Sequence, residues 1–216
     1  SVSGDTRYDR VAAIASQNSN IEKVNSFAAD HFTLVAGSSW PPEHEMLIKL
    51  CNQGPEDIKF IIAPHELKEK QYEHIEKNIE ATAVRLSKAT ESQIAKARVL
   101  IIDSIGLLSK LYRYGHIALI GGGFGKGIHN VLEPAVYGLP VIFGPAYKKF
   151  HEAVSMVEND IAFPVENYEQ LKKEVEKLHD NKVYFNEKST QTRLFVEGQL
   201  GATDMILQEI EKQILN

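Results

Sequence analysis

Six short and mostly apolar runs, each closed by small or polar residues and each parted from the next by a helical pattern, constrain this chain most. They fall at 32–36, 58–63, 83–86, 99–102, 117–120 and 141–143. A strand that stays apolar along its length, instead of alternating, is covered on both faces, as in a parallel sheet with helices above and below. Helical patterns fill the gaps at 7–17, 21–30, 41–52, 91–97, 107–114 and 150–158, with a charged amphipathic stretch that carries Leu67, Tyr72, Ile75 and Ile79 on one side. Residues 161–163 offer an extra edge strand, and three helices follow at 168–179, 183–196 and 202–215. The expected fold is α/β, a Rossmann-like six-stranded parallel sheet with helices on both faces and C-terminal helices as a tail. It is read as one domain over 1–216, with 1–6 as a linker.

Ligands of such sheets bind beyond the carboxyl ends of the strands. Those ends carry Gly37-Ser38-Ser39, Pro64-His65, Ser87-Lys88, Asp103-Ser104, the stretch 121–127 and Gly144-Pro145. Small and polar residues thus gather on one edge. The fifth run is the most marked: it stops at Gly121-Gly122-Gly123, and Gly125 and Gly127 follow. Five glycines in seven residues exceed what a tight turn needs and suit a backbone that approaches a ligand closely. Asn130 with Glu133 three residues on has the form of a capping box, opening a helical pattern that ends at Gly138. A glycine loop before a helix start is a site for an anion or a sugar.

The loop matches neither standard nucleotide pattern. No frame gives G-x-G-x-x-G, and the loop follows the fifth strand, not the first. Gly125-Lys126 lacks the earlier glycine of a P-loop, and Gly127 stands where Ser or Thr would bind magnesium. ATP or GTP hydrolysis and NAD binding are therefore not expected. The eight histidines show no metal-site spacing, so neither a metal nor a cofactor is expected. Net charge is −5 without a basic cluster, which argues against nucleic acid. No apolar run reaches the ~20 residues of a membrane helix, no secretory leader is evident, and the chain is expected to be soluble. Cys51 is the one cysteine, set beside Leu47 and Leu50 in a helical pattern; it reads as core, in a reducing compartment.

Several blocks together resemble the donor half of a Kdo transferase, an enzyme that adds 3-deoxy-D-manno-oct-2-ulosonic acid (Kdo) to lipid A precursor. They are Gly121-Gly122-Gly123, His129-Asn130-Val131-Leu132-Glu133-Pro134-Ala135, Gly138-Leu139-Pro140-Val141 and Gly144-Pro145. Further stretches agree in order: 4–11, Ala36-Gly37-Ser38-Ser39-Trp40 with Glu43 and Glu45, and Asp103-Ser104-Ile105-Gly106. The resemblance covers nearly the whole chain. It implies one half of a GT-B architecture, the half that holds CMP-Kdo, with inverting transfer and no metal. The acceptor, the membrane attachment and the general base would belong to an N-terminal domain outside this chain. The whole enzyme would then work in lipopolysaccharide biosynthesis at the cytoplasmic side of the bacterial inner membrane.

Carried over by position, the implied donor-binding residues are Gly37, Ser38, His65, Ser104, Ile105, Gly106, Gly122, Gly123, His129, Asn130 and Glu133. No catalytic residue is expected in this chain. Pro64 stands where the family has Arg, and Leu107 where it has Glu; Lys88 or Lys126 are candidates for the missing positive charge. Plainer roles stand beside these. His65 could cap a helix, Ser38 or Ser39 could cap the helix that opens at Pro41-Pro42, Asp103 could satisfy loop N–H groups, and Lys148 and Lys149 read as a solvated pair. Two other functions remain open: the donor half of another nucleotide-sugar GT-B enzyme, or a non-catalytic nucleotide-binding module.

Overall fold

The computed structural model describes residues 4–17 and 20–214. Positions 1–3 of the expected linker and Leu215 of the expected last helix lie outside the described residues. Seven strands run parallel: β1 (Thr33–Ser39), β2 (Lys59–Pro64), β3 (Ala83–Arg85), β4 (Val99–Ile101), β5 (Ile117–Ile120), β6 (Val141–Phe143) and β7 (Ala162–Pro164). Their order across the sheet is β3-β4-β2-β1-β5-β6-β7. The expected count of six was one too few. The candidate edge strand is real and pairs Val141 with Ala162, Ile142 with Phe163 and Phe143 with Pro164. Pro164 ends an edge strand, where its missing N–H costs no ladder bond.

The helices are α1 (Thr6–Ala15), α2 (Glu22–Ala28), α3 (Pro41–Gln53), α4 (Glu69–Asn78), α5 (Glu91–Lys96), α6 (Leu108–Leu111), α7 (Leu132–Ala135), α8 (His151–Glu158), α9 (Tyr168–Asp180), α10 (Lys182–Glu197) and α11 (Ala202–Ile214). A 3₁₀ turn, Tyr112–Tyr114, extends α6. Neighbouring strand residues feed opposite layers, because side chains alternate across a sheet. Val35, Ile61, Leu100 and Ala118 join a core with Tyr8, Phe27, Ile94 and Met156 from α1, α2, α5 and α8. Leu34, Phe60, Val99 and Leu119 join the other core with Leu47, Cys51, Ile75 and Val175 from α3, α4 and α9. Each fully buried Leu or Ile contributes about 1.5–3 kcal/mol, and Cys51 is one of these core residues, fully buried, its thiol pushed up to about 12 by burial.

The terminal helices are less of a tail than expected. α9 packs on α3, α10 on α9 and α7, and α11 on α1. α11 still exposes Met205, Leu207 and Ile210.

Two expected caps are built differently. α3 opens at Trp40, and the Glu43 carboxylate, not Ser38 or Ser39, accepts the Trp40 N–H at 3.0 Å. Pro41 and Pro42 remove the first two N–H groups, so a serine cap has little to satisfy. Ser39 Oγ sits 3.0 Å from His44 Nε2. At α7 no capping box forms. Asn130 Oδ1 accepts the Leu132 N–H at 3.0 Å, and Glu133 Oε1 accepts from the Asn130 side chain at 3.2 Å, not from its backbone.

Candidate functional site

Strand order reverses direction between β1 and β5, so the loops leaving these two strands part and open a crevice at the carboxyl edge. The glycines of the loop after β5 serve first to interlock backbones. A Cβ on Gly121 would lie 2.0 Å from Ser38 O, and one on Gly123 would lie 2.4 Å from Gly144 N. Gly122 adopts φ +87°, and the loop closes on itself through Gly127 N–H to Gly122 O (3.2 Å) and His129 N–H to Gly121 O (3.1 Å). Gly37 has an equally plain reason: a Cβ there would strike the Tyr112 hydroxyl at 1.8 Å. Three loops therefore meet without side chains between them.

A buried carboxylate ties two of these loops together. Glu43 is fully buried; one oxygen accepts the Gly122 N–H at 2.9 Å and the other the Trp40 N–H. Burial pushes its carboxyl above the ordinary value, and N–H bonds from Trp40, Gly122 and Phe124 hold it partly back.

Above this lie three rings. Trp40 Nε1 donates to His129 Nε2 at 3.1 Å, with the two rings only 10° from parallel, so they meet edge to edge. His65 stacks on both, its centroid 4.5 Å from each. His65 thus covers the Trp40–His129 seam and is not a helix cap, since α4 is preceded by Lys68 at its cap position. Burial, and secondarily the neighbouring His65, push the His129 imidazole below its ordinary value.

Beside His129 is a cavity of about 300 Å³ lined by Ser38, Gly106, Leu108, Ser109, Tyr112, His129, Asn130 and Glu133. Five of the expected residues converge here: Ser38, Gly106, His129, Asn130 and Glu133. Ser38 does so from φ 51°, a left-handed backbone that turns the chain away from β1. Glu133 is half-buried, and burial raises its carboxyl above the usual range against the opposing hydrogen bond from Asn130. Gly37, Gly122 and Gly123 contribute backbone closeness, not lining. Ser104 and Ile105 belong to the neighbouring loop but do not line the cavity, and Ile105 is 87% exposed.

Three lining residues, Leu108, Ser109 and Tyr112, were not foreseen. They lie on α6 and the 3₁₀ turn that follows, and the spacing of 108 and 112 in the helical pattern at 107–114 puts those two on one face. Asp103 satisfies Ser87, through the backbone N–H at 3.0 Å and the hydroxyl. Lys88 pairs with Glu69 at 3.4 Å beside β3, which lies three strands from β1, or about 14 Å. It is therefore no substitute for a cation in the crevice. Lys126 is exposed on the glycine loop, and its carbonyl accepts the Lys149 ammonium at 2.6 Å. Lys149 is thus tied to that loop and is not simply solvated beside Lys148. Among the described residues, no helix is long and apolar enough to cross a membrane.

No family model matches the chain. Individual proteins do. A bifunctional glycosyltransferase/methyltransferase of Fusobacterium nucleatum is 28% identical over 183 residues, 83% of this chain and 28% of that protein. A 3-deoxy-D-manno-octulosonic acid transferase of Aquifex aeolicus is 31% identical over 143 residues, 64% of this chain and 39% of that enzyme. This chain thus spans well under half the length of these relatives. Among solved structures, the C-terminal CMP-Kdo binding domain of WaaA from Acinetobacter baumannii superposes with a TM-score of 0.68 at 20% identity. That match covers 87% of this chain and 97% of the other, and it establishes a common fold.

Proposed function

We propose that this chain, a homologue of part of the Kdo transferases, is the part that binds the sugar donor, CMP-Kdo. The observation that carries the reading is the cavity at the β1–β5 crevice. There Ser38, Gly106, His129, Asn130 and Glu133 converge from three separate loops. Nothing in the core requires a serine, an imidazole, an amide and a carboxylate to meet at that edge.

In this reading Glu133 accepts hydrogen bonds from the ribose hydroxyls. His129 and the loop N–H groups face the phosphate, whose developing charge as CMP departs they would stabilise. Transfer proceeds with inversion. The base that deprotonates the acceptor, and the site for a lipid A precursor, would belong to the length of these enzymes that this chain does not span. The whole enzyme would act in lipopolysaccharide synthesis at the inner membrane. By itself this domain would bind donor and transfer nothing.

The test is titration of the isotope-labelled chain with CMP, UDP and GDP. CMP is expected to bind best, at roughly −4 to −6 kcal/mol, since one open domain buries little of the ligand. Shifts should centre on 103–112 and 121–133. A preference for UDP or GDP would favour the donor half of a different nucleotide-sugar enzyme. Shifts confined to α9, α10 and α11 would sink the site.

A further inference from the structure

We propose that Trp40 is a positioning residue that fixes His129 as a neutral imidazole with its proton on Nδ1, offered to the anionic group of the bound donor. The inference rests on the donor reading for the ligand's identity, but not for the tautomer.

An indole N–H can only donate, so the ring nitrogen that receives it must carry a lone pair. Trp40 Nε1 reaches His129 Nε2 at 3.1 Å with near-coplanar rings, the alignment such a bond requires. The single proton of the neutral ring is then left to Nδ1, and no group of the described residues hydrogen-bonds that nitrogen. His129 lines the cavity and is half-buried, and the proposal places its free N–H in the binding crevice. A doubly protonated ring would set its own Nε2–H against the indole N–H. Trp40 therefore opposes the imidazolium as well as selecting the tautomer.

Trp40 is itself held. Its backbone N–H is fixed by Glu43, which also fixes Gly122 of the loop that leads to His129. The indole and the imidazole are thus placed by one buried carboxylate, and His65 covers both. The titratable groups around the ring are His65 from the loop after β2, Glu133 from α7 across the cavity, and Glu43 from α3 behind Gly122. A second positive charge on His65 would add to the opposition, and the two carboxylates would act against it. The ligand then meets a donor whose strength does not change with pH near neutrality. That suits a site that must hold a phosphate or carboxylate without titrating.

The test uses ring-nitrogen NMR of the ¹⁵N-histidine chain, without ligand first. At pH 8 His129 should show a protonated Nδ1 and a bare Nε2, the minority form for a free imidazole. Trp40→Phe keeps an aromatic ring under His65 and removes the donor. In that variant the proton should move toward Nε2, and the protonation midpoint of His129 should rise by about one unit, the ordinary spread of histidine values. CMP affinity at pH 8 should fall about fivefold. A bare Nδ1 in the parent, or a Phe variant with unchanged tautomer and midpoint, overturns the proposal. A parent with the expected tautomer that binds no CMP would uphold the tautomer and refute the donor reading.

Discussion

Both edges of the sheet carry a cluster of histidines and aromatic rings, yet the proposed donor site uses only one of them. At the amino edge, His116 Nδ1 accepts the Thr33 N–H at 3.1 Å and its ring stacks on Phe32 at 4.9 Å. Phe32 in turn meets His179 and Phe185. The hollow there is the larger, about 400 Å³ against about 300 Å³. Its rim includes Asp30 and Asp57 beside the single cation Lys182, and His179 is bracketed by Asp57 and Asp180. Crossover helices end at this edge, so carbonyls and carboxylates crowd it. They begin at the other edge, where N–H groups point outward. At the carboxyl edge the one lining carboxylate is Glu133. In the proposed reading it is not size that chooses the site but the direction of the helices.

The comparison breaks most violently through the glycine loop. Gly121→Ala would press a methyl to 2.0 Å from the Ser38 carbonyl, backbone against backbone, where nothing can swing aside. The expected loss is about 3 kcal/mol or more, at the upper end of overpacking effects. Gly125→Ala in the same loop meets nothing closer than 3.6 Å and should change stability by less than about 0.5 kcal/mol. Urea midpoints of the two variants check this. If both lose equally, the loop is not an interlocked wall.

Below that wall lies a histidine that never faces ligand. His44 is buried beside Ser39, and burial lowers its imidazole to about 4 from 6.5. Between those two values the unfolded chain holds a proton that the folded chain refuses. Stability from this group is therefore complete above pH 6.5 and lost as pH falls to 4, by up to about 3 kcal/mol. His44→Gln retains a partner for Ser39 and should flatten that part of the profile. Urea midpoints at pH 7 and pH 4.5, parent against variant, measure it. A parent and variant that lose stability in parallel would show that His44 titrates normally.

The sheet was legible because uninterrupted apolar runs leave a strand no exposed face; Leu34, Val35 and Ala36 had to point both ways into covered layers. The edge strand at 162–164 was weaker in sequence because an edge pairs on one side only and needs fewer apolar residues. The site was legible where chemistry and turn coincide in one stretch, as at His129, Asn130 and Glu133. It was not legible where distant segments meet. Nothing in the pattern of 40–43 says that Glu43 will reach Gly122, or that Trp40 will seek His129. A local rule also misleads: serines before a helix suggest caps, but here Trp40 takes the cap position and Pro41 and Pro42 remove the N1 and N2 N–H groups.

Glu133 sharpens the comparison at smaller scale. Burial raises its carboxyl, so the fold gains nothing from its charge, and Glu133→Gln should leave stability unchanged or slightly improved. If ribose hydroxyls donate to it, the variant exchanges a charged acceptor for a neutral one, a loss of about 1 kcal/mol or more in CMP binding, roughly fivefold. Calorimetric titration with CMP decides this. A variant of equal stability that binds CMP as well as the parent does would remove Glu133 from the site.

The smallest expected change belongs to the amino edge and is the strictest control. His116→Gln keeps an oxygen that can accept the Thr33 N–H but removes a ring that stacks on Phe32. The stability cost should be about 1 kcal/mol, the size of one aromatic contact. Burial already lowers the His116 imidazole, so it is neutral at pH 7, and no ionic contact is lost with it. CMP affinity should not move, because the proposed donor site lies at the other edge and two acids, Asp30 and Asp57, line this hollow. The same experiment carries the opposite forecast: if CMP shifts Phe32 and His116 resonances as strongly as those of 121–133, or if His116→Gln weakens CMP, the ligand is at the wrong edge. Helix direction would then not be what places the ligand, since His116 directly precedes β5 and the loop that bears His129 follows it.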